Sequence, residues 1–185
     1  MPHIRKARRA DLADAEYICI QTASGILRKN DKMEKITALM FSSYYINEET
    51  EHCFVLEEKG RAVGYILCAP SAKRFARRYR KDNLKRIFEL SPLWAFLSFF
   101  TPVKYSLLGG KYPAHLHIDI LDEYQSSGYG SKLMNTLLEH LKEKGIKGVM
   151  LSCSADNKRA IAFYKKFGFK KIISAFGSTL MGKNL

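Results

Sequence analysis

Apolar and polar positions along the chain change period in a regular order. A short alternating piece, His3 to Ala7, is followed by Asp11 to Lys29, where Leu12, Ala15, Cys19, Thr22 and Ile26 recur at helical spacing. Asp11 is placed to cap that helix. A second helical stretch is expected over Asp31 to Asn47. HCFVLEE, the turn Lys59-Gly60 and AVGYILCAP then read as a β-hairpin. Further on, HLHIDIL reads as a strand and runs into a glycine loop. A helix follows with Leu133, Met134, Leu137, Leu138 and Leu141 on one face, and then the strand GVMLSC, so this part is a β-loop-α-β unit. A short helix from Asn157 to Phe167 aligns Ala160, Ile161, Tyr164 and Phe167. Gly168 ends it before two β-rich runs, FKKIISA and STLMGK. The pattern is that of an α/β (α+β) protein in one domain, 1–185, with no internal repeat.

The segment from Ser71 to Tyr112 breaks this tempo and reads as an insertion. It opens with KRFARRYRKDNLKR, eight basic residues against one acidic, and so holds +7 of a formal charge of +13. A solvated helix face is the default reading of such a run. The functional reading is attraction of an acidic substrate, nucleic acid or the ribosome, and with no RNA-binding signature nucleic acid is not the expected partner. The apolar stretch Pro92 to Val103 is too short for the roughly 20 residues of a spanning helix, so no membrane partner is expected. Its Leu93, Trp94, Phe96, Phe99 and Phe100 either wall an acceptor pocket or close onto the core. With no apolar run after the first residues, the expected location is cytoplasmic. Cys19, Cys53, Cys68 and Cys153 stand apart without any CxxC and are expected to be buried thiols rather than disulfides or zinc ligands.

Two places carry candidate chemistry. Gln125-Ser126-Ser127-Gly128-Tyr129-Gly130 lies between a strand and a helix start, where converging backbone N–H groups and the helix dipole favour an anion. A dinucleotide fingerprint is excluded because Leu133 stands three residues after Gly130, and a P-loop because no GK[ST] follows. On the preceding strand His115, His117 and Asp119 alternate with Leu116, Ile118 and Ile120, which puts three titratable groups on one face. A general base with a relay, or structural histidines, would explain that face. H-x-H-x-D also admits a zinc reading, which lacks a further histidine, and no metal is expected.

Q-x-x-G-x-G after a strand, followed about 27 residues later by Asn157-x-x-Ala160-x-x-Phe163-Tyr164-x-x-x-Gly168-Phe169, resembles the GNAT superfamily of N-acetyltransferases. The phrase YPAHLHIDIL looks most like a subgroup similar to the acetyltransferase-like domain attached to some O-GlcNAcases. The resemblance covers the order of elements along the chain apart from the insertion. It implies a mixed, mostly antiparallel twisted sheet flanked by helices and splayed at an acetyl-CoA site. It implies further that acetyl-CoA is the co-substrate. Its pyrophosphate would lie on the amides of Gln125 to Gly130 and Ser131. Its pantetheine arm would run along the backbone of Ile118, Asp119, Ile120 and Leu121, with Asn157 and Ala160 on the other side. Tyr164 would protonate the leaving thiolate, and Asp119 would take the amine proton with His117 as rival or relay. Two departures from the family pattern are Asp122, where proline is common, and Ser126, where glycine is frequent.

The acceptor is left open by the residues: small amine, aminoglycoside, polyamine, peptide N-terminus and protein lysine all remain, and oligomeric state is open too. Two other readings stand beside the enzyme: a non-catalytic acyl-CoA-binding module, and a basic nucleic-acid or ribosome-associated protein that works through the insertion.

Overall fold

A computed structural model describes residues 1–185. Seven strands form one sheet in the order β1-β2-β3-β4-β5-β7-β6. They are β1 (His3–Lys6), β2 (Phe54–Glu58), β3 (Arg61–Ala69), β4 (Ala114–Ile120), β5 (Gly148–Ser154), β6 (Lys170–Ala175) and β7 (Ser178–Asn184). Every neighbouring pair is antiparallel except β4 with β5. The helices are α1 (Leu12–Thr22), α2 (Asp31–Phe41), α3 (Ser43–Glu48), α4 (Ala72–Lys81), α5 (Asn83–Leu90), α6 (Pro92–Leu108), α7 (Tyr129–Glu143) and α8 (Lys158–Lys166). This is the mixed, mostly antiparallel sheet with flanking helices that the resemblance implied. The lone parallel contact follows from α7, which carries the chain back across the sheet between β4 and β5.

The sheet divides the core in two. One face, with Tyr65, Leu67 and Met150, packs against α1 to α6. The other, with Ile66, Leu116 and Leu151, packs against α7 and α8. Helix α7 buries Leu133, Met134, Leu137, Leu138 and Leu141, the stripe its spacing predicts. Each such side chain contributes roughly 1.5–3 kcal/mol on burial, so this stripe holds the helix that follows the glycine loop. Beneath it, β3 and β4 approach closely at Gly64, where a Cβ would lie 2.9 Å from Ile120 Cγ1.

Several boundaries differ from the periodic reading. The first helix stops at Thr22 rather than Lys29, because Ala23 is extended and Gly25–Arg28 forms a 3-10 turn. The second breaks at Ser42 into α2 and α3. Asp11 does not cap α1 with its side chain. Its carboxylate accepts instead from the Arg5 guanidinium at 2.7 and 2.8 Å and from the Arg8 N–H at 2.7 Å, tying β1 to the turn before the helix. All four cysteines are free, with three buried and Cys153 only half-buried.

Residues 71–112 form the three helices α4 to α6. Phe75, Tyr79, Ile87, Ala95 and Tyr105 belong to the same buried cluster as α1 to α3, so these helices complete one face of the core. Polar anchors fasten them. Arg74 pairs with buried Glu49, whose carboxyl also accepts from Tyr44 Oη at 2.8 Å, and Asn83 Nδ2 donates to the Leu39 carbonyl at 2.8 Å. No helix is long and apolar enough to cross a membrane.

Candidate active site

The site begins where β4 and β5 part. Their register holds only Ala114 opposite Val149 and His115 opposite Met150. Beyond it β4 stays on β3 through Ile120, while β5 continues on β7 through Ser154. The sheet is thus splayed at its parallel junction, and the second edge of β4 is open. The Leu121 N–H donates to the Val63 carbonyl at 3.0 Å. By alternation the backbone of Asp119 also faces β3, and that of Ile118 and Ile120 faces the gap. This corrects the expectation that all four residues from Ile118 to Leu121 offer their backbone to a ligand. Of the open groups, the Ile120 carbonyl is taken by Gln125 Nε2 at 2.8 Å, which leaves Ile118 as the residue with both groups directed into the wedge.

Ile118, Asp119 and Ile120 line a cleft of about 660 Å³ with Gln125, Ser126, Gly128, Gly130, Ser131, Asn157, Ala160 and Tyr164. Ser126 and Gly128 both take the left-handed conformation, with φ of 62° and 80°. Glycine bears that geometry without strain, and Ser126 adopts it where the family pattern has glycine. Gly128 gives α7 no side-chain cap, and the first helical bond runs from Lys132 N–H to the Gly128 carbonyl. The preceding amides of Tyr129, Gly130 and Ser131 therefore lack intrahelical partners, which suits an anion. Asp122 also lines the cleft, and its carboxylate accepts from Gln125 Nε2 at 2.8 Å. Gln125 thus closes the loop with its side chain. Leu121, Ser127, Tyr129 and His117 do not line the cleft.

Asn157 caps α8, its Oδ1 accepting from the Ala160 N–H at 2.9 Å, so its amide NH2 is what remains for a ligand. Tyr164 is the buried residue of α8, its ring against Phe163 and Phe169, and its hydroxyl has no hydrogen-bond partner in the protein. Burial first, then the negative charge of Asp119, raises its pKa. The phenol therefore keeps its proton throughout the neutral range.

On β4, the period-two reading holds: His115, His117 and Asp119 share the face turned to α1 through α6. Their fates differ. Tyr65, opposite Asp119 on β3, donates its hydroxyl to Asp119 Oδ2 at 2.7 Å and stands 3.3 Å from His117 Nδ1. His117 Nε2 is 3.3 Å from Asp119 Oδ2. His115 is removed from this group. It is buried among Phe75, Tyr105 and Tyr45, with neither ring nitrogen hydrogen-bonded, and burial lowers its pKa to about 3. Cys19 of α1 brings its thiol within 4.8 Å of the His117 and Asp119 ligand atoms. Burial pushes that thiol up to about 12.

The cleft also contains residues the pattern does not single out: Gln21, Thr22, Ala23 and Arg28 from the end of α1 and the turn after it, and Arg159 and Phe163 from α8. The Arg159 guanidinium donates to Ser126 Oγ at 3.2 Å, placing a cation beside the loop amides. A basic residue two places after Asn157 was the available signal. The α1 residues had none, since only the packing of α1 over β4 brings them there. None of Leu93, Trp94, Phe96, Phe99 and Phe100 reaches the cleft: Trp94 packs on the core and the other four are exposed.

The chain matches the model of the acetyltransferase (GNAT) family over residues 23–169. An uncharacterised N-acetyltransferase of Methanocaldococcus jannaschii is 23% identical over 168 residues, 91% of this chain and 60% of that protein. N-alpha-acetyltransferase 30 of Schizosaccharomyces pombe is 23% identical over 126 residues, 68% of this chain and 62% of the relative. The chain thus spans about three fifths of the length of these curated relatives. Among solved structures, the protein named SsHAT superposes with a TM-score of 0.88 at 32% identity, covering 99% of this chain and 98% of its own. The PaiA N-acetyltransferase of Thermoplasma acidophilum in complex with coenzyme A shares the fold, with a TM-score of 0.65 at 16% identity over 100% of this chain and 99% of that one.

Proposed function

Because the chain belongs to the acetyltransferase (GNAT) family, we propose that it transfers an acetyl group from acetyl-CoA to a primary amine by direct attack. The splay of β4 from β5 after His115, beside the unpartnered amides of the α7 start, is the observation that carries this reading. The residues present fit the co-substrate. A pyrophosphate is matched by the open amides at Tyr129, Gly130 and Ser131 with Arg159 beside them, and an amide-bearing arm by the Ile118 edge and the Asn157 NH2.

The chain's own residues divide the chemistry across the sheet. The amine lone pair attacks the thioester carbonyl, a C–N bond forms, and the C–S bond breaks. Tyr164, from the α8 side, gives its proton to the departing sulfur. Asp119, from the opposite face, takes the proton lost by nitrogen, directly or through a water, with His117 as relay. Tyr65 holds the Asp119 carboxylate through its 2.7 Å hydrogen bond and is a positioning residue. A phenol held protonated and a carboxylate facing the same gap favour turnover over a module that only binds acyl-CoA.

The acceptor is a small-molecule, peptide or protein amine. The likeness of the β4 phrase to the domain attached to some O-GlcNAcases concerns the strand and does not choose among these. Four free thiols fit a reducing compartment, and the cytoplasm is the proposed location. We also propose that 1–185 acts as a single domain with α4 to α6 as its insertion. Calorimetric titration with acetyl-CoA, followed by thiol release on an amine panel, tests the reading. Failure to bind acetyl-CoA refutes it.

A further inference from the structure

Helix α6 turns only one side to the protein. Ala95, Ser98, Pro102 and Tyr105, spaced by three and four, are its buried residues, and the helix packs on α4 and α5. The opposite side carries Leu93, Phe96, Leu97, Phe100 and Leu107, whose spacings of three, four and seven put them on one face. Phe99 joins them: its ring centroid is 6.0 Å from that of Phe100, which lies 5.4 Å from that of Phe96. These six side chains are between 38% and 80% exposed. They line neither the cleft nor the core, so both expectations for the aromatic stretch fail for them.

An aromatic side chain presents about 150–250 Å² when fully open, so the six together leave roughly 600 Å² of apolar surface in water. That is the upper end of what monomeric proteins expose in one patch, and patches of that size mark contact with a partner. Charge and area say which partner. No Asp, Glu, Lys or Arg occurs from Ser91 to Val103, and Lys104, the one cation of α6, donates its Nζ to Ser152 Oγ on β5 at 3.2 Å. A helix lying on an anionic lipid surface keeps Lys and Arg along its flanks for the headgroups, and α6 has no such row. An acidic peptide would find no counter-ion on this face either. A second copy brings the same uncharged surface. Two chains of formal charge +13 repel one another elsewhere, but α6 lets them meet without setting like charges side by side. Two such patches would bury about 1,200 Å² in all, the area at which stable protein pairs begin.

We infer that the outer face of α6 is the interface of a symmetric homodimer, in which it packs antiparallel on the same face of a second chain. An isologous contact covers both patches at once and leaves no further face on which to grow. Phe100 lies midway between Leu93 and Leu107, so a two-fold axis at Phe100 joins the two Phe100 rings and sets Leu93 of each copy against Leu107 of the other.

Sedimentation equilibrium of the whole chain tests this. At about 100 μM the native protein should have twice the 21.2 kDa chain mass, with a dissociation constant of about 10 μM or below. Raising salt from about 0.15 M to about 1 M should tighten the pair, because it screens the net charge and leaves the apolar contact in place. Phe100→Glu and Phe100→Lys each set like charges across the axis and should weaken association at least about tenfold, while an equimolar mixture of the two should restore it. Phe96→Ser, a loss of apolar area without added charge, should weaken it too. Phe176→Ser, at the fully exposed turn between β6 and β7, should leave it unchanged. Circular dichroism reports the folding of each variant. A native chain that stays monomeric at that concentration, a dimer that dissolves in high salt, or a dimer that persists in folded Phe100→Glu and Phe96→Ser would overturn the inference. So would a monomer that sediments with phosphatidylcholine–phosphatidylserine vesicles, which would make this face a lipid contact.

Discussion

Replacing Tyr164 with phenylalanine isolates one proton. The ring is held by Phe163 and Phe169 at centroid distances of 5.5 and 6.0 Å, contacts a phenylalanine keeps. The hydroxyl makes no hydrogen bond within the protein, so its loss should change stability by less than about 0.5 kcal/mol. Catalysis is affected differently. As the C–S bond breaks, charge grows on sulfur in a buried site, where one lost donor to a developing anion costs about 3–4 kcal/mol. At about 1.36 kcal/mol per tenfold, kcat should fall by 10² to 10³. Acetyl-CoA affinity should stay within about twofold, because the ground-state thioester sulfur carries little charge. The raised pKa of Tyr164 also sets a sign: the donor is protonated below its pKa, so its ionisation removes activity only above about pH 10, the ordinary tyrosine value. The assay is single-turnover transfer to an acceptor found by the amine panel, which reads the chemical step apart from product release. A folded Tyr164→Phe protein with native single-turnover rates would refute the general-acid role.

Asp119→Asn should slow transfer at neutral pH, with partial recovery as pH rises, because more of the free amine is then already neutral; the Tyr164→Phe defect should not recover, and parallel profiles would deny the division of roles. Gly128→Asp adds charge and bulk at a φ of 80° beside the α7 amides, so acetyl-CoA affinity should drop at least tenfold by calorimetry, and unchanged affinity in a folded variant would make the loop a plain turn. His115 titrates at about 3 when folded against about 6.5 unfolded, so the unfolded chain takes up its proton first and stability declines as pH falls from about 6.5 towards 3. His115→Leu should flatten that decline in chemical denaturation, and an unaltered slope would show that other groups set it.

Where the chain reveals its own structure, local chemistry suffices. The five-residue stripe of α7, the Lys59-Gly60 hairpin and the alternation on β4 depend on periods built into the backbone, and Gln125 to Gly130 fall between a strand and a helix whatever surrounds them. Tyr164 and Asn157 are legible by the same logic, through their spacing on one short helix. Other features need contacts between residues far apart in the chain. Tyr65 reaches Asp119 only because β3 and β4 pair with residue 65 opposite 119. Cys19, Gln21 and Arg28 reach the site only because α1 lies over β4. The separation of His115 from His117, neighbours on one strand face, depends on α4 and α6 covering one and leaving the other beside the opening. The opening itself is a tertiary fact: β4 stays with β3 and β5 with β7, and a register of two residues is all that joins them. Periodicity records which way a side chain points, whereas the depth at which it ends and the charge it meets there are set by strand pairing and helix packing. That is why the catalytic candidates can be named from the sequence, and why the residues that position them, Tyr65 above all, cannot.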